Sequence, residues 1–266
     1  MPIELQPLIP FLVMTAFLSA ATAVAYMAAI RKGRELAGRS QWSMPALMFS
    51  CVLVVGGIGV FLPDVTGLGL SQVNQMIDGQ FALGMLVLLL IGKIFVTAYC
   101  LNAGFFGGVF GPALFVGAAT GAIAAYVSVS LGLAPHLSYA LPVAAVAAVG
   151  GAVIGAPLTV IMIVIELTGS YAYGLSAMLC VILCSILTLR FFGLSYFDRQ
   201  LLDRGIDLRL GQEHIELSLT PVSEIQGGDF VRLSPQTSVE EARSALTVAQ
   251  ATEAYVCDDN QMLVGK

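Results

Sequence analysis

A glycine-rich stretch that ends in proline interrupts the apolar part of the chain and could bind an anion. Residues Gly104-Phe105-Phe106-Gly107-Gly108-Val109-Phe110-Gly111-Pro112 separate two apolar segments, Met85–Leu101 and Ala113–Ala125. Within a bilayer, unpaired backbone N–H and C=O groups are costly unless they are buried in protein or line a cavity. A helix that restarts at this break presents free N–H groups and the positive end of its dipole. The stretch therefore predicts an anion-binding site inside a membrane, and a glycine hinge that only eases helix packing is the alternative.

The composition predicts a polytopic membrane protein with a polar C-terminal part. Hydrophobic residues make up 58% of the 266 residues and charged residues 11%, and the mean hydropathy is +0.88. A soluble domain carries roughly a quarter charged residues. Residues 40–189 contain only four charged side chains, which are Asp64, Asp78, Lys93 and Glu166. The net charge of −5 arises mainly from the polar C-terminal part and indicates little about partners.

Hydropathy predicts the elements that position the break. Full spans are expected at Leu8–Ile30, Met44–Leu62, Phe81–Leu101, Val109–Leu131 and Leu175–Phe192, with short or tilted helices at Tyr139–Ile154 and Leu158–Leu167 and a re-entrant helix at Gly69–Ile77. The basic residues within 31–39 are expected to form a cytoplasmic loop after the first span. Short, broken helices in a tilted bundle are typical of ion transporters that are built from inverted repeats.

The region after Leu194 predicts a helix that leaves the membrane, followed by a small α/β unit. Residues Tyr196–Gly205 are amphipathic, and Gly205 is a plausible C-cap. Strands are expected at Phe230–Leu233 and Glu253–Cys257, a helix at Ser238–Ala249, and a turn at Asp258–Asn260 that leads into Met262–Gly265. The chain stops within this unit, so we expect it to be a piece of a longer protein.

Four motifs in this sequence resemble the CLC family of chloride channels and chloride/proton antiporters. They are Gly108-Val109-Phe110-Gly111-Pro112, Gly117-Ala118-x-x-Gly121, the stretch from Gly155-Ala156-Pro157-Leu158-Thr159 through Glu166-Leu167-Thr168-Gly169, and Tyr196 before Leu201-Leu202-x-Arg204-Gly205. The resemblance implies an all-α polytopic membrane protein, the second inverted repeat of a CLC-type fold with broken, tilted helices. The tail from about Thr220 resembles the start of a CBS domain. We therefore expect a transmembrane domain at residues 1–210 and a linker with a partial α/β CBS module at residues 211–266.

The resemblance also implies where chloride binds. It places the N–H groups of Val109 and Phe110 at the central chloride, with the Tyr196 hydroxyl as a further donor. Gly108 and Gly111 would let the backbone approach the ion closely. Partial charges of this kind replace the hydration of a large monovalent anion without trapping it. An interfacial aromatic anchor is the alternative interpretation of Tyr196, and no resident cofactor is expected.

Two ionisable residues lie inside predicted spans. Lys93 is expected either to raise the electrostatic potential of a water-filled chloride entry or to extend to the nearer interface. Glu166 is expected to be a structural carboxylate that accepts hydrogen bonds from neighbouring helix ends, in preference to a proton relay. The resemblance assigns the proton glutamates of the family to a first repeat that this sequence lacks, so that missing repeat is an expected partner.

Two functions are consistent with these features. The resemblance implies chloride transport by a voltage-gated-type channel or a chloride/proton antiporter, in the inner or plasma membrane, with a cytoplasmic tail. It further implies a homodimer formed through helices 158–167 and 175–192, and no nucleic-acid partner is expected. The alternative is a non-conducting regulatory membrane subunit with a CBS sensor, although adenine nucleotide binding needs a complete pair of modules. An enzyme is not expected, because the sequence contains no visible nucleophile–base pair, metal cluster or phosphate loop.

Overall fold

Mostly apolar helices build the first of the two units into which the chain divides. The computed structural model describes residues 5–206, 231–249, 254–258 and 262–265, and the units are Met1–Ile206 and Asp207–Lys266. The helices of the first unit are α1 (Leu5–Arg39), α2 (Met44–Phe61), α3 (Leu70–Ile77), α4 (Leu83–Asn102), α5 (Phe110–Ser130), α6 (Pro135–Ser138), α7 (Ala140–Ile154), α8 (Pro157–Thr168), α9 (Tyr171–Phe191) and α10 (Tyr196–Leu202), with a 3-10 turn at Pro63–Val65.

Within the described residues, six helical segments are long and apolar enough to cross a membrane. They are Gln6–Arg39, Met44–Phe61, Leu83–Asn102, Phe110–Ser130, Pro135–Ile154 and Tyr171–Leu202. The apolar helix α8 has only 12 residues, fewer than the roughly 20 that a transmembrane helix needs. The predicted all-α polytopic architecture with a broken helix pair near its end is therefore confirmed.

Two predicted boundaries are wrong. The basic residues within 31–39 do not form a loop, because α1 continues through Arg39. Arg, Lys and Glu are good helix formers, and Arg31 and Glu35 form an i,i+4 ion pair at 3.9 Å. The last long span begins at Tyr171 rather than at Leu175, two residues after Gly169, which ends α8 with a φ of +59°.

Close packing of α5 against α7 forms the centre of the first unit. A Cβ atom at Gly117 would lie 2.8 Å from the carbonyl oxygen of Ala145 and 2.8 Å from the Cα atom of Val146. A Cβ atom at Gly121 would likewise collide with the backbone of Pro142. The Gly-x-x-x-Gly spacing therefore lets two helix backbones touch. Helices α1 and α9 pack around this pair and complete the buried core.

The second unit contains a small α/β arrangement. Strands β1 (Val231–Leu233) and β2 (Ala254–Cys257) are parallel, and the helix α11 (Val239–Ala249) connects them in the sequence. Strand β3 (Leu263–Gly265) pairs antiparallel with β2. The predicted α/β character of the tail is confirmed, whereas its membership of the CBS class stays a prediction. The expected strand residues Phe230 and Glu253 and the turn residues 259–260 lie outside the described residues.

Candidate anion-binding site

The predicted break lies between two long helices. Helix α4 ends at Asn102 and α5 begins at Phe110, so residues 103–109 connect them without helical structure. Gly104 adopts a φ of +95°, a backbone conformation that favours glycine. A Cβ atom at this position would also lie 2.9 Å from the Sδ atom of Met44. Glycine at position 104 therefore allows the chain to turn in close contact with the side chain of Met44, the first residue of α2.

The start of α5 exposes several backbone donors. Val109 is the N-cap residue of α5 and its side chain does not cap the helix. Within the described residues, the N–H groups of 107–111 donate no hydrogen bond. Residues 105–108 are exposed, whereas Val109 is buried. Free N–H groups at the positive end of a 21-residue helix create a local positive potential without a full charge.

A cavity of about 570 Å³ opens at this break, and its volume lies within the roughly 300–1,000 Å³ that is usual for small-molecule sites. Gly108 and Val109 line it together with Tyr196, so the structure brings together three of the residues that the sequence predicts for the site. Phe110 and Gly111 are not among its lining residues. Lys93 lies elsewhere in the molecule and does not line this cavity.

Tyr196 reaches the cavity from α10, whose first residue it is. Ser195 caps this helix: its Oγ atom accepts a hydrogen bond from the Asp198 N–H at 3.2 Å and donates one to the Asp198 carboxylate at 2.7 Å. The Tyr196 ring meets the Phe197 ring edge-on, with 5.4 Å between centroids. Its hydroxyl has no hydrogen-bond partner within the described residues. Because Tyr196 lines the cavity, this unpaired hydroxyl is available to donate a hydrogen bond to an anion.

The corner between α7 and α8 sets the position of α10. Gly155 ends α7 with a φ of +82°, and Pro157 opens α8. A Cβ atom at Gly155 would lie 2.7 Å from the Oγ atom of Ser195. Glycine at this corner therefore lets the cap of α10 approach closely, and the cap in turn positions Tyr196.

Two further residues were not predicted from the sequence: Tyr26, which contacts Val109 from the buried core, and Arg34, which lines the cavity. Tyr26 of α1 is completely buried and donates a hydrogen bond from its hydroxyl to the Val109 carbonyl at 3.0 Å. Arg34, also in α1, lines the cavity and forms an ion pair with Asp203 at 3.1 Å. The sequence offered one signal for Tyr26, because a buried tyrosine in an apolar span usually finds a partner for its hydroxyl.

Lys93 is buried within the protein, with 2% of its surface exposed. Its ammonium group donates to the carbonyls of Val65 at 2.9 Å and Gly67 at 2.6 Å. The side chain therefore anchors the segment before α3. Leu68 of that segment lies close to the start of α5: a Cβ atom added at Gly111 would be 3.4 Å from the Leu68 side chain.

Glu166 does not have the environment that the sequence suggested. The residue is exposed on α8, and its carboxylate accepts no hydrogen bond within the described residues. The expectation that Glu166 accepts hydrogen bonds from neighbouring helix ends is therefore wrong within the described residues.

Comparison with known proteins identifies the family. The family profile described as "Voltage gated chloride channel" matches residues 1–189. Among curated proteins, the "H(+)/Cl(-) exchange transporter ClcA" of Vibrio cholerae serotype O1 (strain M66-2) is 33% identical over 116 residues, which cover 42% of this chain and 24% of the relative. The protein of the same description from Vibrio parahaemolyticus serotype O3:K6 is 30% identical over 157 residues, which cover 58% of this chain and 33% of the relative.

A solved structure shares the fold. The slow cyanobacterial Cl⁻/H⁺ antiporter superposes with a TM-score of 0.66 at 22% identity, over 77% of this chain and 48% of its own. This chain thus spans about a quarter to a third of the curated relatives and about half of the solved protein. Fold and site together define a multi-pass membrane protein with a broken helix whose free N–H groups face a cavity. The chain belongs to the voltage gated chloride channel family, which confirms the resemblance to CLC proteins.

Proposed function

We propose that this chain is the C-terminal part of the membrane domain of a chloride channel or chloride/proton antiporter. One observation supports this most: the same cavity of about 570 Å³ is lined by Gly108 and Val109 at the start of α5 and by Tyr196. Chloride would be held by the N–H groups of Val109 and Phe110 and by the Tyr196 hydroxyl. Gly108 and Gly111 would provide room for close approach, and the bilayer and the first repeat would complete the pore.

Partial charges suit the transport of chloride. A buried cation in direct contact would bind the ion tightly and slow its release, whereas amide and hydroxyl dipoles replace its hydration more weakly. Lys93 would act at longer range, because its ammonium group is already occupied by two carbonyls and does not line the cavity. Arg34, half exposed at the cavity wall, would attract anions from solution.

Chloride binding to the full-length protein tests this proposal. In detergent, isothermal titration with chloride is compared for wild type and for Tyr196→Ala, which removes a donor and opens the wall to water. We expect the affinity to fall by about tenfold or more, because one hydrogen bond to an ion contributes roughly 1.5–3 kcal/mol and about 1.4 kcal/mol is a factor of ten. Tyr171→Ala is the matched control, since Tyr171 is 80% exposed and lies outside the cavity. Unchanged affinity in Tyr196→Ala would contradict the site assignment.

Flux measurements on the same protein separate the two functions proposed from the sequence. Liposomes that contain the full-length protein should release chloride down its gradient, and uptake of protons driven by chloride would indicate an antiporter. A protein that inserts correctly but carries no chloride would instead support the regulatory subunit with a CBS sensor.

We further propose that the protein is a homodimer through α8 and α9. Apolar side chains on these helices are exposed within the described residues, among them Leu167 at 81% and Leu175 at 53%. In a bilayer they contact either lipid or a second copy. Cysteine substitution at Leu175 in the full-length protein should give a cross-linked dimer with a bifunctional maleimide, whereas cysteine at the exposed Phe61 of α2 should not. The absence of a cross-link at Leu175, or an equal cross-link at Phe61, would contradict this interface.

A further inference from the structure

Tyr26 supports the first peptide of α5 from behind. Its side chain is completely buried among core residues of α1 and α5, and its hydroxyl donates to the Val109 carbonyl at 3.0 Å. The Ala113 N–H donates to the same carbonyl at 3.1 Å. A carbonyl oxygen has two lone pairs, so both of its acceptor positions are occupied.

The planarity of the peptide bond transmits this constraint to the other side of the same peptide. The Val109 C=O and the Phe110 N–H belong to one rigid plane and point in opposite directions. A hydrogen bond that fixes the carbonyl therefore also fixes the direction of the N–H. The Phe110 N–H has no hydrogen-bond acceptor within the described residues, so it is directed away from Tyr26 and towards the break.

We propose that Tyr26 is a positioning residue for the anion site, an inference that rests on the function proposed above. The Tyr26 hydroxyl keeps the Phe110 N–H in the direction that an anion needs, before the anion arrives. Binding to such preorganised donors costs little reorganisation free energy, because the donors do not have to reorient. Without the hydroxyl, the peptide between Val109 and Phe110 keeps only its helical hydrogen bond and can tilt. Chloride then binds more weakly, and larger anions are discriminated less.

Tyr26→Phe isolates this effect, because the substitution removes one oxygen and keeps the ring in the core. The matched control is Tyr99→Phe, which deletes a hydroxyl that pairs with Ser50 at 3.0 Å, outside the lining of the anion cavity. Both variants are made in the full-length protein, and titration with chloride and with thiocyanate gives the affinity for each anion.

We expect Tyr26→Phe to weaken chloride binding about three- to tenfold and to lower the ratio of chloride to thiocyanate affinity. Tyr99→Phe should shift Tm about as much as Tyr26→Phe does, but it should leave the chloride affinity and the chloride-to-thiocyanate ratio unchanged. Wild-type affinity and selectivity in Tyr26→Phe, with weakened binding in Tyr196→Ala, would overturn the role of Tyr26 alone. A wild-type protein that does not bind chloride would overturn both proposals.

A spectroscopic measurement reports on the peptide directly. Labelling with ¹³C-carbonyl valine and ¹⁵N-phenylalanine selects Val-Phe peptide bonds, which in this chain occur at Val60–Phe61 and Val109–Phe110. The second signal should move on addition of chloride and should be displaced in Tyr26→Phe before any chloride is added, whereas the first should stay fixed. An undisplaced Val109–Phe110 signal would overturn the proposal.

A second substitution tests the same role if the Tyr26→Phe variant does not fold. p-Aminophenylalanine at position 26 keeps a donor of similar size, but a weaker one. Chloride affinity close to that of wild type is expected, because the donor to the Val109 carbonyl is kept, and a loss as large as that in Tyr196→Ala would overturn the positioning role.

Discussion

The ammonium nitrogen of Lys93 lies 4.6 Å from the centre of the Phe115 ring, and the two residues join α4 to α5 in the buried interior. The ring offers the cation its electron-rich face, while the carbonyls of Val65 and Gly67 accept hydrogen bonds from its N–H groups. The lysine thus ties the segment before α3 to the two helices that flank the break. A charge in the membrane region is here satisfied by backbone oxygens and an aromatic ring rather than by a carboxylate.

Lys93→Met should destabilise the protein. Methionine fills a similar volume but leaves the carbonyls of Val65 and Gly67 without this donor, and an unsatisfied buried group costs about 1–3 kcal/mol. We expect a fall of about 2 kcal/mol in unfolding free energy and faster proteolysis within residues 62–69. Lys32→Met is the control, because Lys32 is exposed on α1. Equal stability of the two variants would show that these contacts contribute little.

Gly155→Ala should weaken chloride binding through the position of Tyr196. The added Cβ would lie 2.7 Å from Ser195 Oγ, so the cap of α10 must move. Gly169→Ala provides a matched control, because Gly169 also has a positive φ of +59° but has no atom within 4 Å of the added Cβ. Both variants should lose roughly 1 kcal/mol of stability to backbone strain. Only Gly155→Ala should alter the titration with chloride, and a similar change in both would argue against the link to Tyr196.

Arg34→Gln should weaken chloride binding in a salt-dependent way. Arg34 lines the cavity and is half exposed, as is its partner Asp203. Its attraction for anions is long-range and is screened when the Debye length falls from about 10 Å at 0.1 M to about 3 Å at 1 M ionic strength. Affinity should therefore fall at low ionic strength and match wild type at high ionic strength, set with a large non-binding anion.

Stability should change little in the same variant. An exposed ion pair contributes about 0–1 kcal/mol, so the loss of the contact with Asp203 should shift the unfolding free energy by no more than that. Arg39→Gln, at the exposed end of α1, serves as the control for net charge. A loss of affinity that persists unchanged at 1 M salt would contradict the electrostatic role of Arg34.

The helix of the tail should be weakened in acid. The Ser238 N–H donates to the Glu241 carboxylate at 3.0 Å, and the Ser238 hydroxyl donates to it at 2.9 Å. These bonds lower the pKa of Glu241, with the backbone bond contributing most. Because the pKa is lower in the folded than in the unfolded state, the stabilisation is present above the unfolded value of about 4.3 and is lost as the pH falls through the folded value.

Carboxyl ¹³C NMR of labelled glutamate in the full-length protein measures this pKa. The Glu241 signal should titrate below about 4.3 in wild type. Ser238→Ala keeps the backbone donor and should raise the midpoint only in part, whereas Ser238→Pro removes both donors and should raise it further. A midpoint that is the same in all three proteins would contradict the capping interaction.

Local properties of the sequence predicted the elements of this fold. Runs of apolar residues located the spans, and glycine and proline located the breaks at residues 104–112 and 155–157, because their backbone preferences act within a few residues. The boundary errors have the same local origin. The charges of residues 31–39 lower the hydropathy without breaking the helix. Arg and Lys are compatible with a loop and with a helix, so their presence did not distinguish the two.

The sequence by itself therefore determined that this is a multi-pass membrane protein with free N–H groups at a helix start. Only the tertiary structure decided what surrounds them. Tyr26 and Val109 are 83 residues apart, and Lys93 and Val65 are 28 residues apart. Helices that are apolar on every side carry no stripe that marks which neighbour each will contact. Those contacts are selected when the whole chain packs. Small residues such as Gly117 let particular helices approach closely, and each buried polar group must find a hydrogen-bond partner.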